Sequence, residues 1–370
     1  MAWRDRLLRP LGPGVLGGVT LGDWLRLLRD NRFALSSGCA LRAMAISLQS
    51  IPNSVLGGFE DWRYRSKLDA VVVPPPLFVL GHWRSGTTHL DNLLTVDERF
   101  AFPNNYQVFY PHTFLTTEAV SSRLIEPFLP RQRPMDNIEW DMRSPQEDEF
   151  ALCAATGLSP CMGWAFPRMR DHYDRYLTFR GVPASEIARW QAAFVRFLKK
   201  LTWKYRCPLV LKSPPHSCRI GLLQQMFPRA RFVHIHRDPY DVFRSSRLMF
   251  QVVFEMHRVQ RRRVDDLDDW ILRQYREMYD AFFEERGLIP EGQFHEVGYE
   301  ELEKDPVGQV RRIYEALNLP EFGPAEPGLR RYVGSIAGYK KNEFPDLPAD
   351  LRSRIAASWR ACFEEWGYPA

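Results

Sequence analysis

The stretch "VLGHWRSGTTHL" at residues 79–90 gathers Arg84, Ser85, Thr87 and Thr88 around Gly86. A strand that turns through glycine into a helix presents free backbone N–H groups and the positive helix end to one point. That arrangement cradles an anion. Gly81 and Gly86 keep the spacing of a nucleotide-hydrolysing phosphate loop, G-x-x-x-x-G-K-[ST]. Here, however, Thr87 stands at the lysine position, and the loop's cation, Arg84, lies ahead of the second glycine. The hydroxyls of Ser85, Thr87 and Thr88 add donors without charge, and Arg84 adds a planar fork of donors.

Two further stretches carry matching chemistry. In "HIHRDPYDVFRSS", Arg237 closes an apolar strand pattern, and Ser245 and Ser246 follow eight and nine positions later on the next helix. An arginine at a strand end and a serine on the following helix can converge on one phosphate. In "LVLKSPPH", Lys212 and Ser213 terminate another strand pattern, which aims Lys212 at the same crevice.

The elements that position these residues alternate between strand and helix. Leu77–Leu80 follows three prolines that cannot join a central ladder. After the loop, Leu90, Leu93 and Leu94 share one helical face. Strands are expected at 207–212, 231–237 and 293–302. Asp-Pro helix starts are expected at Asp238 and Asp305, and a last helix should carry Leu351, Ile355, Trp359 and Phe363. Such alternation implies an α/β fold, a mostly parallel sheet with helices on both faces. Ligands then sit at the carboxyl ends of the strands, where the glycine loop lies. Residues 1–70 read as a helical N-terminal extension and 71–370 as the catalytic domain. Within that domain, 100–205 is a helical region short of strand patterns.

With 370 residues, 45% hydrophobic and 26% charged, the chain can build a real core. A formal net charge of +5 is too mild to imply nucleic acid and suits an anionic small molecule. Six scattered cysteines without a C-x-x-C pair give no metal-ligand spacing and fit buried thiols in a reducing, cytoplasmic setting. Cys153 and Cys161 are near enough in sequence to pair only if the chain were exported. No apolar run reaches the ~18 residues that a spanning helix needs, and the proline-broken start is not read as a signal peptide. Residues 21–50 read as helices. Trp24, Leu25, Leu27 and Leu28 lie on one face, which either packs on the domain or touches a membrane surface.

The segments "PPLFVLGHWRSGTTHLDNLL", "LKSPPH", "FPRARFVHIHRDPYDVFRSS" and "YEELEKDP", in that order, resemble the sulfotransferase family, over residues 76–96 and 209–319. The resemblance implies the sulfotransferase fold, P-loop-like, and 3′-phosphoadenosine 5′-phosphosulfate (PAPS) as sulfuryl donor. By that likeness Arg84, Ser85, Gly86, Thr87 and Thr88 bind the 5′-phosphosulfate, with Arg84 as in tyrosylprotein-type members. Arg237 and Ser245 bind the 3′-phosphate, and Lys212 stabilises the transferring group. Lys340 and Lys341 of "GYKKNEF" match a basic segment at the donor's 3′ end. The missing P-loop lysine then makes sense, because the donor has no γ-phosphate to grip. This reading requires no metal.

The acceptor needs a base for its hydroxyl or amine proton. His112 is the ready base after the first helix; Glu147 and Glu149 of "SPQEDEFAL" are the alternatives, or a solvated helix start. Trp140, Phe150, Trp164, Phe166, Tyr173 and Tyr176 lean toward an apolar or ring-bearing acceptor: a lipid, sterol, phenol or sugar lipid. The rival readings are a P-loop nucleotide kinase and a membrane-associated binding protein without enzymatic activity.

Overall fold

The structure, a computed structural model, describes residues 14–126, 141–261, 266–339, 341–342 and 344–370. The chain forms two compact units, each assembled from separated stretches of sequence.

One unit comprises 74–102, 207–249 and the described part of 265–370. It holds a four-stranded sheet of β1 (Leu77–Leu80), β2 (Val210–Lys212), β3 (Arg231–His236) and β4 (Phe294–Gly298), in the order β2-β1-β3-β4. Every pairing is parallel. The register puts Val79 opposite Lys212 and Leu80 opposite His234. Alternate side chains leave opposite faces, as the pleat requires. Leu77, Val79, Val233 and Ile235 join one core with Leu90, Leu93 and Leu94 and with Val310, Ile313 and Leu317. Phe78 and Phe232 stack on the other face, ring centroids 5.3 Å apart. A bridge between Ala101 and Leu209 continues the β1–β2 edge. It is closed by Ala101 N–H to Pro208 O at 2.9 Å and Val210 N–H to Ala101 O at 2.8 Å.

Both Asp-Pro helix starts form. Asp238 Oδ1 accepts the Tyr240 N–H at 2.8 Å, and Asp305 Oδ1 accepts the Gly308 N–H at 2.9 Å. Two expected elements differ. The last strand stops at Gly298, and Tyr299–Lys304 is a helix, with Glu300 and Glu301 favouring its positive end. The final helix is two, Ala349–Ser358 and Arg360–Trp366. The chain turns at Trp359, whose indole N–H is committed to Leu272 O at 3.0 Å.

The other unit comprises 14–73, 103–206 and 250–261, apart from 127–140. The sequence boundary at residue 70 set the N-terminal helices apart from the 100–205 region. The structure instead gathers both into one unit with a shared core. In that core α1 (Leu21–Asp30) buries Trp24, Leu27 and Leu28, while Leu25 of the expected apolar face is exposed. The Trp24 ring meets Phe166, with centroids 6.4 Å apart. α1 packs against α2 (Ala40–Asp69), a 30-residue helix. The unit also holds α3 (Phe114–Ile125), α4 (Glu149–Thr156) and α5 (Ala184–Tyr205). Cys153 and Cys161 are separate buried thiols, and burial pushes both well above the ordinary thiol range.

Candidate active site

The glycine loop opens where β1 ends. Gly81 has φ +139°, and a Cβ there would collide with the Ile235 carbonyl, so the chain can pass β3 at this point only as glycine. Its N–H donates to Ser217 Oγ at 2.8 Å. The His82 N–H donates to the Tyr279 hydroxyl at 3.3 Å, and His82 Nδ1 lies 2.7 Å from Trp83 O, to which it donates. Burial holds the His82 imidazole down to about 4, so it is neutral at pH 7. Ser85 Oγ donates to His82 O at 2.7 Å and fastens the turn from inside.

Gly86 caps the helix Thr87–Leu94 at φ +100°. A Cβ on it would run into the Tyr299 ring. Arg84 itself sits at φ +72°, a backbone conformation costly for a side chain of this size. Strain of this sort, held in place by its surroundings, is characteristic of functional turns. Its guanidinium Nε donates to Ser245 Oγ at 2.7 Å. Arg84 and Ser245, 161 residues apart, therefore meet on one side of the loop.

Arg237 completes the cluster from the end of β3. Its Nη1 donates to the Arg84 carbonyl at 3.4 Å, and Nη2 pairs with Asp241 at 3.0 Å. Asp241 also pairs with Arg244. The guanidinium of Arg237 lies 4.5 Å over the Tyr299 ring, and the Lys341 ammonium lies 5.1 Å from the same centroid. Burial opposes the Lys341 charge, but its ion pair with Glu303 prevails and raises it above the usual lysine range. Lys340 lies outside the described residues. Lys212 is buried at the end of β2, opposite Val79 of β1 and next to the buried Ser213.

Arg84, Gly86, Arg237, Ser245 and Lys341 thus converge on the carboxyl ends of β1 and β3, with Thr87 and Thr88 on the first turn beyond. Buried polar atoms there lack protein partners: Arg237 Nε, Arg244 Nε and Ser246 Oγ. A site with that many cationic and hydroxyl donors fits a phosphorylated, polyanionic ligand. Two residues of this cluster were missed from sequence. Tyr299 falls inside the strand expected over 293–302, and its place here depends on positions 86 and 237. Asp241 carried no signal beyond its place one turn after Arg237.

The three base candidates belong to the other unit. His112 packs against Gly57 of α2, and its Nε2 is buried without a hydrogen-bond partner. Burial first and the Lys200 charge second push its imidazole down to about 4. Lys200 is ion-paired with Glu60 at 2.5 Å, both side chains almost wholly buried. Glu60 also accepts from Thr116 N at 2.8 Å and Thr116 Oγ1 at 3.0 Å. Glu147 and Glu149 lie at the start of α4, but that start is not solvated. Both carboxylates are buried, Glu149 completely. Of the aromatic residues singled out, Trp164, Phe166, Tyr173 and Tyr176 are core, and Phe150 is half-buried, stacked on Phe109 at 5.7 Å. Trp140 lies outside the described residues.

Comparison with known proteins places the chain in a family. A family model described as the sulfotransferase family matches residues 75–324. Proteins of Mycobacterium bovis and Mycobacterium tuberculosis, each named omega-hydroxy-beta-dihydromenaquinone-9 sulfotransferase Stf3, are 36% identical over 352 residues. Those residues cover 95% of this chain and 90% of the relative. Among solved structures, sulfotransferase STF9 from Mycobacterium avium is similar with a TM-score of 0.63 at 22% identity, over 92% of this chain and 84% of that one. Sulfotransferase STF1 from Mycobacterium tuberculosis H37Rv has a TM-score of 0.62 at 17% identity, over 91% and 92%. The glycine loop with its arginine, the parallel sheet that carries it and the span of these matches lead to one conclusion: the chain belongs to the sulfotransferase family.

Proposed function

We propose that this sulfotransferase uses PAPS as donor and sulfates a hydroxyl group of an apolar lipid. The observation that carries the donor assignment is the convergence of Arg84, Ser245 and Arg237 around Gly86. The loop amides from Gly86 to Thr88 face the 5′-phosphosulfate, the Ser85 N–H being held by His82 O at 3.1 Å, and Arg237 with Ser245 takes the 3′-phosphate. Lys341 adds charge at that 3′ end. The lipid assignment is supported by the relative named for a hydroxylated menaquinone derivative.

In the transfer, the acceptor oxygen forms a bond to sulfur as the bond from sulfur to the bridging phosphate oxygen breaks. The acceptor proton passes to a base, and adenosine 3′,5′-bisphosphate leaves. Positioning and charge stabilisation do most of this work. Arg84 and Lys212 offset the charge that grows on the bridging oxygen. His112, Glu147 and Glu149 stand as the candidates for the base. The one that serves is the one whose replacement by glutamine lowers kcat while leaving bisphosphate affinity intact.

Isothermal titration with adenosine 3′,5′-bisphosphate tests the donor assignment. Binding by the wild type that weakens by about 10–100-fold in Arg237→Ala is expected from the loss of charge-assisted hydrogen bonds. Absence of binding by the intact protein, or equal binding by the variant, refutes it. A panel of lipid and soluble alcohols with labelled donor tests the acceptor class.

A further inference from the structure

The long helix α2 is inside out. Its buried side carries Arg42, Ser50, Asn53 and Glu60 among small and apolar residues. Three of these polar groups have partners outside the helix. Arg42 donates to the Glu255 and Arg258 carbonyls at 3.3 and 2.7 Å. Asn53 donates to Gly17 O at 2.8 Å and Val19 O at 3.1 Å. Glu60 holds Lys200. The side turned to solvent carries Leu41, Met44, Leu48, Ile51, Val55, Leu56, Phe59 and Trp62, the last 78% exposed. From Leu41 to Phe59 every exposed residue is apolar once Pro52 and Gly58 are included. At 100° per residue this apolar face spans an arc of about 160°, and from Leu41 to Trp62 it runs about 30 Å.

Water is a poor partner for such a face, and its width selects among the others. A seam with one partner helix is a narrower stripe flanked by charges that set register. Here the flanking Ala45, Ser47 and Ser54 are uncharged, and Pro52 stands exposed inside the face. Beyond Trp62 the helix turns basic: Arg63, Arg65 and Lys67 are all exposed, and the adjacent Asp61 is already ion-paired with Arg196. A broad apolar face ending in an aromatic residue and a cluster of cations matches an anionic bilayer surface. Among the described residues no helix is long and apolar enough to cross a membrane, so α2 would lie in the surface plane. We infer that α2 seats this protein on anionic membranes through the face from Leu41 to Trp62.

Flotation of the full chain with phosphatidylcholine–phosphatidylglycerol vesicles (about 2:1), without donor or acceptor, tests this independently of the catalytic assignment. The wild type floats, and less so with phosphatidylcholine alone. Replacing two exposed apolar side chains, Leu48→Glu with Ile51→Glu, lowers partitioning by about a hundredfold, near tenfold for each. Arg63→Glu with Lys67→Glu removes the preference for anionic lipid. Unchanged helical circular dichroism and cooperative thermal unfolding show that these variants are folded. Wild-type protein that stays in the dense fraction, or flotation indifferent to Leu48→Glu/Ile51→Glu, overturns the inference. So does a doubled mass by light scattering that the double variant reduces to a monomer's, which would assign the face to a second copy.

Discussion

Gly86→Ala isolates what the loop glycine does. Two costs are visible. The residue sits at φ +100°, where a Cβ costs about 1–2 kcal/mol. The new methyl also meets the Tyr299 ring and comes within 3.2 Å of Ile235 Cδ1, and such overpacking costs about 1–3 kcal/mol. The sum, about 2–5 kcal/mol, corresponds to a melting decrease of roughly 4–20 °C at ~2–4 °C per kcal/mol for a unit of this size. The loop amides shift with the methyl, and bisphosphate affinity falls with them. The informative experiment pairs this change with Tyr299→Ala, which empties the space opposite. In that background Gly86→Ala keeps the backbone cost and the Ile235 contact and loses the collision with the ring. The double-mutant cycle therefore shows a coupling of about 1–3 kcal/mol. Thermal unfolding and titration calorimetry on the four proteins give the answer. If the two changes add within about 0.5 kcal/mol, the Tyr299 ring is not what keeps position 86 a glycine, and the account of the loop fails.

Arg237→Lys keeps the charge but loses the fork that spans Asp241 and the Arg84 carbonyl; bisphosphate binding should weaken by about tenfold and become more sensitive to salt in calorimetry. Lys200→Met leaves the Glu60 carboxylate buried without its cation and should destabilise the helical unit by about 3–5 kcal/mol, whereas Lys200→Met with Glu60→Gln recovers most of that in denaturant unfolding. Burial holds His82 near 4 in the folded protein against 6.5 in the unfolded chain. Because the unfolded state then binds more protons, His82 contributes stability that is complete above pH 6.5 and is lost as pH falls through 4, on the order of 3 kcal/mol. His257, held near 3 by burial and then by the Arg42 charge, accepts the Val15 N–H on Nδ1 at 3.2 Å, a bond that protonation would abolish. Melting temperatures from pH 7 to 4 should therefore decline, with a shallower slope in His82→Phe.

The parts of the molecule legible in the sequence are those whose signal is local. Leu77–Leu80 and the Gly81–Thr88 loop announce themselves by an apolar run, two spaced glycines and clustered hydroxyls. Arg237 and Ser245 were legible because the Asp-Pro start fixes where β3 ends and its helix begins. Pairing was not legible: β2 is confined to Val210–Lys212 because only Leu77–Val79 lie opposite it. Tyr299 escaped notice because its partners, Gly86, Arg237 and Lys341, are far away in sequence. The orientation of α2 was equally hidden. Periodicity marks stripes on a helix but does not say which of two opposed stripes turns inward, and Arg42, Asn53 and Glu60 turn inward only because carbonyls and a lysine from elsewhere await them. Glu149, too, reads locally as a helix start, while its burial is decided by packing.

The Ala101–Leu209 bridge has a consequence for how this enzyme could change over time. It clasps the chain where residues 103–206 leave the sheet and where they return, so that long excursion begins and ends at neighbouring points of one sheet edge. The entropy of closing such an excursion grows slowly, by only about 0.6 kcal/mol for each doubling of its length. Insertions in loops between 103 and 206 therefore add little closing entropy. A lineage built this way can lengthen the excursion while the sheet edge from which it springs keeps its register.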